Sequence, residues 1–490
     1  MVDGHRLLLL AGRDADELRT QLAADEAELL ARDDAAHAPT GGPCRLAIVD
    51  PDARRLALAR RVVERGAPWR GRNDVWFSAT PLLGAGGGTI AFVFPGVEQR
   101  FEPVLDDIAA QLALPLPVLG GEELAVVLRR SIGLLGLGRF LDAALRRIGI
   151  VPSTVAGHSI GEWNAMVAGG MLTSEGIDRL VASIDPEAFE LPGCLFAALG
   201  CGVELAREVI AGIDGVVISH DNCPHQSIIC GDEDAVAAAA QRFDERGILS
   251  QILNFRSGFH SPLLAPYLEG VSGIARLPIA TPEIPVWSAT TAEPFPGDES
   301  AIRDLVIRHL LEPVRFRELV ENLYASGVRA FVQPGVGSVT GFIDDTLAGR
   351  DYVAVAANVT GQPGLRQLRR TAAALWVEGA APCFDKLSMI PGVPVSMVSE
   401  PCFDEPSMTA GIEPVLAELR ALLAEAAEAA EAVTARFADV RASGARPVRL
   451  APRETRYSWT LRLEEMPYVI DHCLVRQPAG WHDVSDRHPV

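Results

Sequence analysis

Short apolar runs alternate with stretches of helical spacing along most of this 490-residue chain. The runs HRLLLLAG (5–12) and CRLAIVD (44–50) have the length of buried strands, and helical patterns follow them at about 14–32 and 52–66. Strands that alternate with helices are typical of α/β architecture. We therefore predict an α/β protein whose first part, residues 1–88, is a small α/β unit.

The alternation changes between residues 201 and 268. A helical VELAREVIAG, the strands VVISH and SIIC, the helix AVAAAAQRFDERG and the strand ILSQIL follow one another there. We interpret this order as a βαββαβ unit, which predicts a small ferredoxin-like subdomain. It would be inserted into a large subdomain of α/β-hydrolase type formed by residues 89–200 and 269–375.

The pattern loosens after residue 376 and becomes strongly helical over residues 412–443, where Leu and Ala form an amphipathic stripe. We predict a docking or interdomain helix, with an assembly helix as the alternative. The tail contains MPYVIDHCL with His472 and ends without a polar terminus, so we expect the sequence to be a piece of a longer polypeptide. Residues 376–490 would then be a linker, with the start of a following domain as the alternative for their last part.

A serine stands where a strand pattern gives way to a helix pattern. The apolar run around Ile148–Ala156 ends in Gly157-His158-Ser159-Ile160-Gly161, and a helical stretch follows. Glycines on both sides of a serine permit the cramped backbone of a nucleophile elbow, which exposes the hydroxyl. The motif predicts covalent acyl chemistry at Ser159, whereas a glycine-rich turn with an incidental serine is the alternative.

Composition restricts the partners and the compartment. A formal net charge of −20 argues against nucleic acid and anionic membranes as partners, and no apolar run approaches the roughly 20 residues that span a bilayer. The eight cysteines have neither CxxC nor His/Cys ligand spacing, so neither a disulfide framework nor a zinc site is indicated. We expect a cytoplasmic protein.

Five motifs in order resemble the acyltransferase domains of fatty-acid and polyketide synthases: AFVFPG (91–96), GHSIGE (157–162), DNCPHQSIICGDEDAV (221–236), SGFHSPLL (257–264) and, with altered residues, FVQPGVGSVTGFI (331–343). The resemblance covers about 90–375. It implies that residues 1–88 are the linker between a ketosynthase and the acyltransferase, and that residues 376–490 are a post-acyltransferase linker. The tail weakly resembles the start of a dehydratase-like domain.

The resemblance also implies roles for single residues. Ser159 would be the nucleophile and His260, in SGFHSP, its base. In the family a backbone carbonyl orients this histidine, and the matching place is the carbonyl of Arg315. The oxyanion would be bound by the backbone amides of Ile160 and of Val97, which stands where the family usually has Gln.

The substrate pocket departs from the family pattern. Malonyl-type members carry an arginine 25 residues after the serine, where this chain has Ile184, followed by Asp185. A carboxylate buried there without a cation is costly, so the resemblance implies a neutral acyl group. Arg130, where the family commonly has Gln, could bind a carboxylate instead. Asn222 and Phe259 match further pocket positions.

The implied reaction uses acyl-CoA as donor and the phosphopantetheine arm of an acyl carrier protein as acceptor, with no permanently bound cofactor and no metal. The carrier protein, a neighbouring ketosynthase and other synthase domains are the expected partners. Three alternatives remain open, namely a malonyl transferase that uses Arg130, an acyl-thioester hydrolase, and an inactive structural domain.

Overall fold

The computed structural model describes residues 6–34, 38–39, 41–97, 100–119, 126–183, 193–253, 256–268 and 277–388. The predicted helix 412–443, the tail around His472, and Ile184 with Asp185 lie outside the described residues. Within the described part, no helix combines the length and the apolarity that crossing a membrane requires.

The first unit is a four-stranded antiparallel sheet with helices against one face. Its elements are β1 (Leu7–Gly12), α1 (Ala15–Leu22), α2 (Glu26–Ala31), β2 (Cys44–Val49), α3 (Ala53–Arg65), β3 (Trp69–Arg70) and β4 (Val75–Ser78). The strands lie in the order β1-β2-β4-β3. Leu8 and Leu10 pack on α1 and α3 on one side, and Leu7 and Leu9 point into the main core on the other. The continuous leucine run is explained by a strand that is buried on both faces.

The next segment contains the serine motif. Its elements are β5 (Thr89–Phe94), α4 (Asp106–Leu112), α5 (Val126–Arg147), β6 (Thr154–Gly157), α6 (Gly161–Ala168) and α7 (Ser174–Ser183). Strands β5 and β6 pair in parallel, and both are largely buried. Ser159 follows the carboxyl end of β6, which is the edge where ligands bind in parallel sheets.

A second sheet follows, built from β7 (Cys194–Leu199), α8 (Val203–Ile210), β8 (Val216–Cys223), β9 (Gln226–Asp232), α9 (Glu233–Glu245) and β10 (Ser250–Ile252). These form a βαββαβ unit in which β10, β7, β9 and β8 are antiparallel neighbours. The predicted boundary at residue 201 is wrong, because β7 pairs with β9 over six residues and so belongs to this sheet. The apolar run CLFAAL fits either sheet, and the sequence pattern alone does not decide between them.

The remaining described residues complete the parallel sheet. Their elements are β11 (Val286–Ser288), β12 (Glu293–Pro294), α10 (Glu299–Leu311), β13 (Val314–Arg315), α11 (Phe316–Ala325), β14 (Val328–Gln333), α12 (Val339–Thr346), β15 (Val353–Ala356) and α13 (Gly364–Val377). The sheet order is β12-β11-β6-β5-β14-β15. Strand β13 extends the second sheet by pairing in parallel with β8. Helix α13 is buried along most of its length and contacts both β2 and β15, so it joins the first sheet to the parallel sheet.

Candidate active site

The turn between β6 and α6 holds Ser159 in a strained conformation. Its φ is +53°, in the left-handed region that residues other than glycine seldom adopt. A Cβ on Gly157 would lie 2.1 Å from the carbonyl carbon of Gly161, and one on Gly161 would lie 2.2 Å from the carbonyl oxygen of Phe94. Both flanking positions therefore need glycine, because strand, turn and helix approach one another too closely for a side chain.

Ser159 is hydrogen-bonded to the histidine predicted as its base. The distance from Ser159 Oγ to His260 Nε2 is 2.7 Å. His260 Nδ1 lies 2.8 Å from the carbonyl oxygen of His309, which can only accept, so Nδ1 carries the proton and Nε2 is free to accept one. The backbone N–H of His260 donates to Leu310 O at 2.7 Å. Two bonds to the end of α10 thus fix this imidazole.

The carbonyl that orients His260 is that of His309, and the prediction of Arg315 is wrong. Arg315 is in β13, where its N–H donates to Ala289 O and its side chain pairs with Glu318. His309 lies in the last turn of α10, and the residue four positions later is Pro313, which has no N–H. Its carbonyl therefore lacks the usual helical donor and is available to His260.

Burial keeps His260, His220 and His158 uncharged. Burial, followed by the neighbouring charge of His309, lowers the pKa of His260 well below its usual value of 6.5. Burial also lowers the pKa of His220 well below that value and the pKa of His158 to about 4. A base must be unprotonated to accept the proton of a nucleophile, so these shifts favour the reactive state of His260.

Asn222 supports the elbow and is not an open pocket position. It is 1% exposed, and its Oδ1 accepts a hydrogen bond from His158 Nε2 at 2.7 Å while its Nδ2 donates to Gln226 Oε1 at 2.7 Å. The imidazole of His158 accordingly points to Asn222 on β8 of the second sheet. Phe259, the other predicted pocket residue, is half-buried beside His260 with 6.5 Å between ring centroids.

One predicted oxyanion donor follows the nucleophile in the chain, and the other belongs to a turn that packs on the elbow. Ile160 is the residue before α6, and within the described ranges its N–H is bonded to no acceptor. Val97 follows the Pro95-Gly96 turn after β5 and is half-buried. A Cβ on Gly96 would lie 2.6 Å from His158 Nδ1, so this turn packs directly on the elbow. The positive end of the α6 dipole would add to the stabilisation of an oxyanion there.

Arg130 is half-buried on α5. Asn164 of α6 donates to Leu134 O of α5 at 2.9 Å, and Arg146 near the end of α5 donates to Ala168 O at the end of α6 at 2.9 Å. The two helices therefore run in the same direction, and Arg130, one turn before Leu134, lies toward the nucleophile end of α6. Burial, followed by the charge of Arg129, lowers the pKa of Arg130, and no carboxylate of the described residues offsets this.

Two side chains near the nucleophile were not predicted to contribute to its geometry. His309 reaches the Ser159 carbonyl, and Glu162, which is fully buried, receives hydrogen bonds from Ser288 and Ala289. The sequence signal for the His309 carbonyl was the helix end followed by Pro313. In the described part of the chain, no three His, Cys, Asp or Glu side chains are grouped as metal ligands.

The fold and this site define a class of protein. A serine on a strand–turn–helix elbow, a buried neutral histidine at hydrogen-bond distance, and an amide at the helix start with no acceptor among the described residues are parts that acyl transfer through an acyl-serine requires. The sequence pattern of the family described as "Acyl transferase domain" matches residues 124–370. The chain belongs to this family, which confirms the predicted resemblance and the predicted α/β fold class.

Known proteins are similar over the same region. A Mycobacterium marinum protein named phenolphthiocerol synthesis polyketide synthase type I Pks15/1 is 30% identical over 332 residues, which are 64% of this chain and 16% of that protein. The malonyl CoA-acyl carrier protein transacylase of Bacillus subtilis is 28% identical over 51% of this chain and 87% of its own.

A solved structure agrees in fold. The acyltransferase domain of an iterative polyketide synthase in enediyne biosynthesis superimposes with a TM-score of 0.59 at 25% identity, over 77% of this chain and 97% of its own. This chain therefore spans a small part of the mycobacterial synthase but nearly the whole of this isolated acyltransferase domain.

Proposed function

We propose that this chain is a serine acyltransferase that moves an acyl group from acyl-CoA to the phosphopantetheine thiol of an acyl carrier protein. The observation that carries the proposal is the hydrogen-bonded series from Ser159 Oγ to His260 Nε2 and from His260 Nδ1 to the His309 carbonyl. A domain that had lost activity would be under no constraint to keep this geometry. The intact pair therefore favours an active enzyme over a purely structural domain.

The first half-reaction acylates the serine. Ser159 Oγ attacks the thioester carbonyl carbon while its proton passes to His260 Nε2, and the amides of Ile160 and Val97 stabilise the resulting oxyanion. The carbon–sulfur bond then breaks. The leaving CoA sulfur takes the proton from His260, which leaves an ester on Ser159 and a neutral imidazole.

The second half-reaction reverses these steps with a different thiol. His260 Nε2 takes the proton of the pantetheine thiol, the sulfur attacks the ester carbonyl, and Ser159 Oγ leaves with the proton returned by His260. The substitution of water for the thiol would give a hydrolase with the same residues. Transfer to a carrier protein and release of free acid are therefore separate outcomes of one assay.

We infer that the acyl group is neutral. The family position that pairs with a malonyl carboxylate is Ile184 in this chain, and Asp185 beside it would repel a carboxylate. Taking a carboxylate out of water without a paired cation is unfavourable by several kcal/mol.

A second candidate is a transferase of carboxylated acyl groups that uses Arg130. The half-buried guanidinium lies toward the nucleophile end of α6, and no carboxylate of the described residues offsets its burial. An arginine of this kind can bind a carboxylate through two parallel hydrogen bonds. The malonyl transacylase among the similar proteins makes this candidate worth a direct test.

Incubation with acyl-CoA thioesters followed by intact-mass measurement tests the function. We expect a mass increase of one acyl group in the wild type and none in Ser159→Ala, which removes only an oxygen. His260→Ala should acylate about 10²–10⁴-fold more slowly. Addition of a carrier protein should move the label to its pantetheine arm. An equal label in Ser159→Ala and wild type would contradict the proposed nucleophile.

A further inference from the structure

His309 contacts both members of the candidate catalytic pair. It is 1% exposed in the last turn of α10. Its backbone carbonyl accepts the bond from His260 Nδ1, and its own Nε2 lies 3.2 Å from the carbonyl oxygen of Ser159. Its Nδ1 lies 3.3 Å from Glu162 Oε2 and 3.2 Å from Thr290 Oγ1. One residue thus joins the nucleophile turn, the base and the first turn of α6.

The hydrogen bonds indicate where the protons of this cluster lie. The Ser159 carbonyl can only accept, so Nε2 of His309 carries a hydrogen. Glu162 Oε1 accepts from Ser288 Oγ at 2.8 Å and its Oε2 accepts from the Ala289 N–H at 2.9 Å, which suits an ionised carboxylate. The Nδ1 atom of His309 faces that carboxylate, and a second hydrogen there completes a charged imidazolium–carboxylate pair.

We propose that His309 is a positioning residue whose imidazole is protonated on both nitrogens, pairs with the Glu162 carboxylate, and fixes the Ser159 carbonyl relative to the backbone that orients His260. The proposal rests on the proposed acyl transfer for its effect on rate. The protonation state itself can be measured without any reaction.

Burial disfavours the two charges of the His309–Glu162 pair, and neighbouring hydrogen-bond donors compensate for this cost. Burial raises the pKa of Glu162, while His309, the Ala289 N–H and the Ser288 hydroxyl act in the opposite direction. Removal of one partner of a buried pair leaves the other uncompensated. We therefore expect the loss of either His309 or Glu162 to lower the free energy of unfolding.

A positive charge on His309 affects the protonation of His260, the proposed base. The rings of His309 and His260 are 5.1 Å apart between centroids, so an imidazolium at 309 disfavours a second positive charge at 260. The charge of His309 is the largest contribution after burial to the lowered pKa of His260. His260 is thereby kept neutral, as proton acceptance requires, at more acidic pH than it otherwise would be.

The titratable groups around His309 come from α6, β8, the turn before α6 and the loop before α10. Glu162 is on α6, His260 is in the loop before α10, and His220 on β8 lies 5.0 Å from His260 between ring centroids. His158 stacks on His220 at 5.3 Å. Burial keeps the pKa of His158 and of His220 low, so neither carries the charge that we assign to His309.

The test compares the pH dependence of Ser159 acylation in wild type, His309→Gln and His309→Leu. All three retain the backbone carbonyl at position 309, and glutamine retains an N–H donor without the charge. We expect the acid limb of the rate profile to move up by roughly two pH units in His309→Gln, as loss of a unit charge about 5 Å away predicts at an effective dielectric constant of about 20. His309→Leu should show the same shift with a lower maximum rate.

His225→Gln is the matched control. His225 also pairs with a carboxylate, that of Asp345 at 2.8 Å, but it takes no part in the cluster around Ser159. The acid limb of the rate profile of His225→Gln should coincide with that of the wild type. An unchanged limb in His309→Gln, with the wild type acylated normally, would overturn the charge assignment while leaving the proposed function intact.

A spectroscopic measurement is independent of activity. In protein labelled with ¹⁵N at histidine, one imidazole should show two protonated ring nitrogens at neutral pH, and this signal should vanish in His309→Gln but persist in His225→Gln. If the signal lost in His309→Gln is that of a neutral ring, the proposal is wrong, whether or not the protein transfers acyl groups.

Discussion

Replacement of Gly161 by alanine should displace the helix that begins at the nucleophile. The new Cβ would lie 2.2 Å from Phe94 O and 2.6 Å from Pro95 O, and both are backbone atoms that cannot rotate away. To reach an ordinary contact, α6 must move from β5 by about 1 Å. The bond from Ser159 Oγ to His260 Nε2, now 2.7 Å, would then lengthen beyond hydrogen-bond distance.

We expect about a 10²-fold loss in the rate of Ser159 acylation, as is typical of a 1 Å misplacement of a reacting group. Overpacking of this kind should also lower the free energy of unfolding by about 1–3 kcal/mol. Stopped intact-mass acylation and thermal melting measure the two effects. Gly297→Ala is the matched control, because no atom lies within 4 Å of its added Cβ.

A Gly161→Ala protein with the wild-type rate and melting temperature would refute the close approach of strand, turn and helix. A loss of stability with an unchanged rate would show that the backbone relaxes without movement of Ser159. The second result would separate the packing of the elbow from the alignment of its hydroxyl.

Two other predictions concern substrate charge and acid stability. In competition between acetyl-, longer acyl- and malonyl-CoA, the neutral thioesters should acylate Ser159 about tenfold to a hundredfold faster than malonyl-CoA. The variant Ile184→Arg should raise malonylation. Predominant malonylation of the wild type that is lost in Arg130→Gln would support the second candidate instead. The pKa of His158 is about 4 in the folded state and 6.5 in an exposed imidazole. The unfolded chain therefore binds more protons than the folded chain between these pH values. About 3 kcal/mol of stability that is present above pH 6.5 should be lost as the pH falls to 4. Urea unfolding of wild type and His158→Gln across this range should show a shallower pH dependence in the variant, and equal slopes would contradict the assignment.

The sequence predicts the nucleophile and its base because the constraints on them are local. Gly157 is needed because its Cβ would lie 2.1 Å from the carbonyl carbon of Gly161, four residues later in the chain, and the motif around His260 is equally compact. The 2.7 Å bond between residues 101 positions apart depends on the fold, yet each partner could be identified from its own segment. The family resemblance supplied the pairing that spacing alone could not.

Residues whose roles depend on tertiary contacts were predicted less well. Asn222 matches a pocket position in the motif, but its amide is used to hold His158, which could be seen only once β8 was placed beside the elbow. The boundary at residue 201 failed for a related reason. A short apolar strand such as Cys194–Leu199 has the same pattern in either sheet, and only its pairing with β9 decides its place.

The orienting carbonyl shows which physical signal could replace motif alignment. Arg315 was chosen by its position in PVRF, yet a carbonyl that lacks its usual helical donor is the more available acceptor for a histidine. The last turn of a helix provides such carbonyls, and Pro313 removes the one donor that could have bonded to His309 O. A search for a helix end with proline four residues after the carbonyl would have selected His309. The same step would have drawn attention to a histidine whose imidazole lies between Ser159 and Glu162, and so to the buried proton that we assign there.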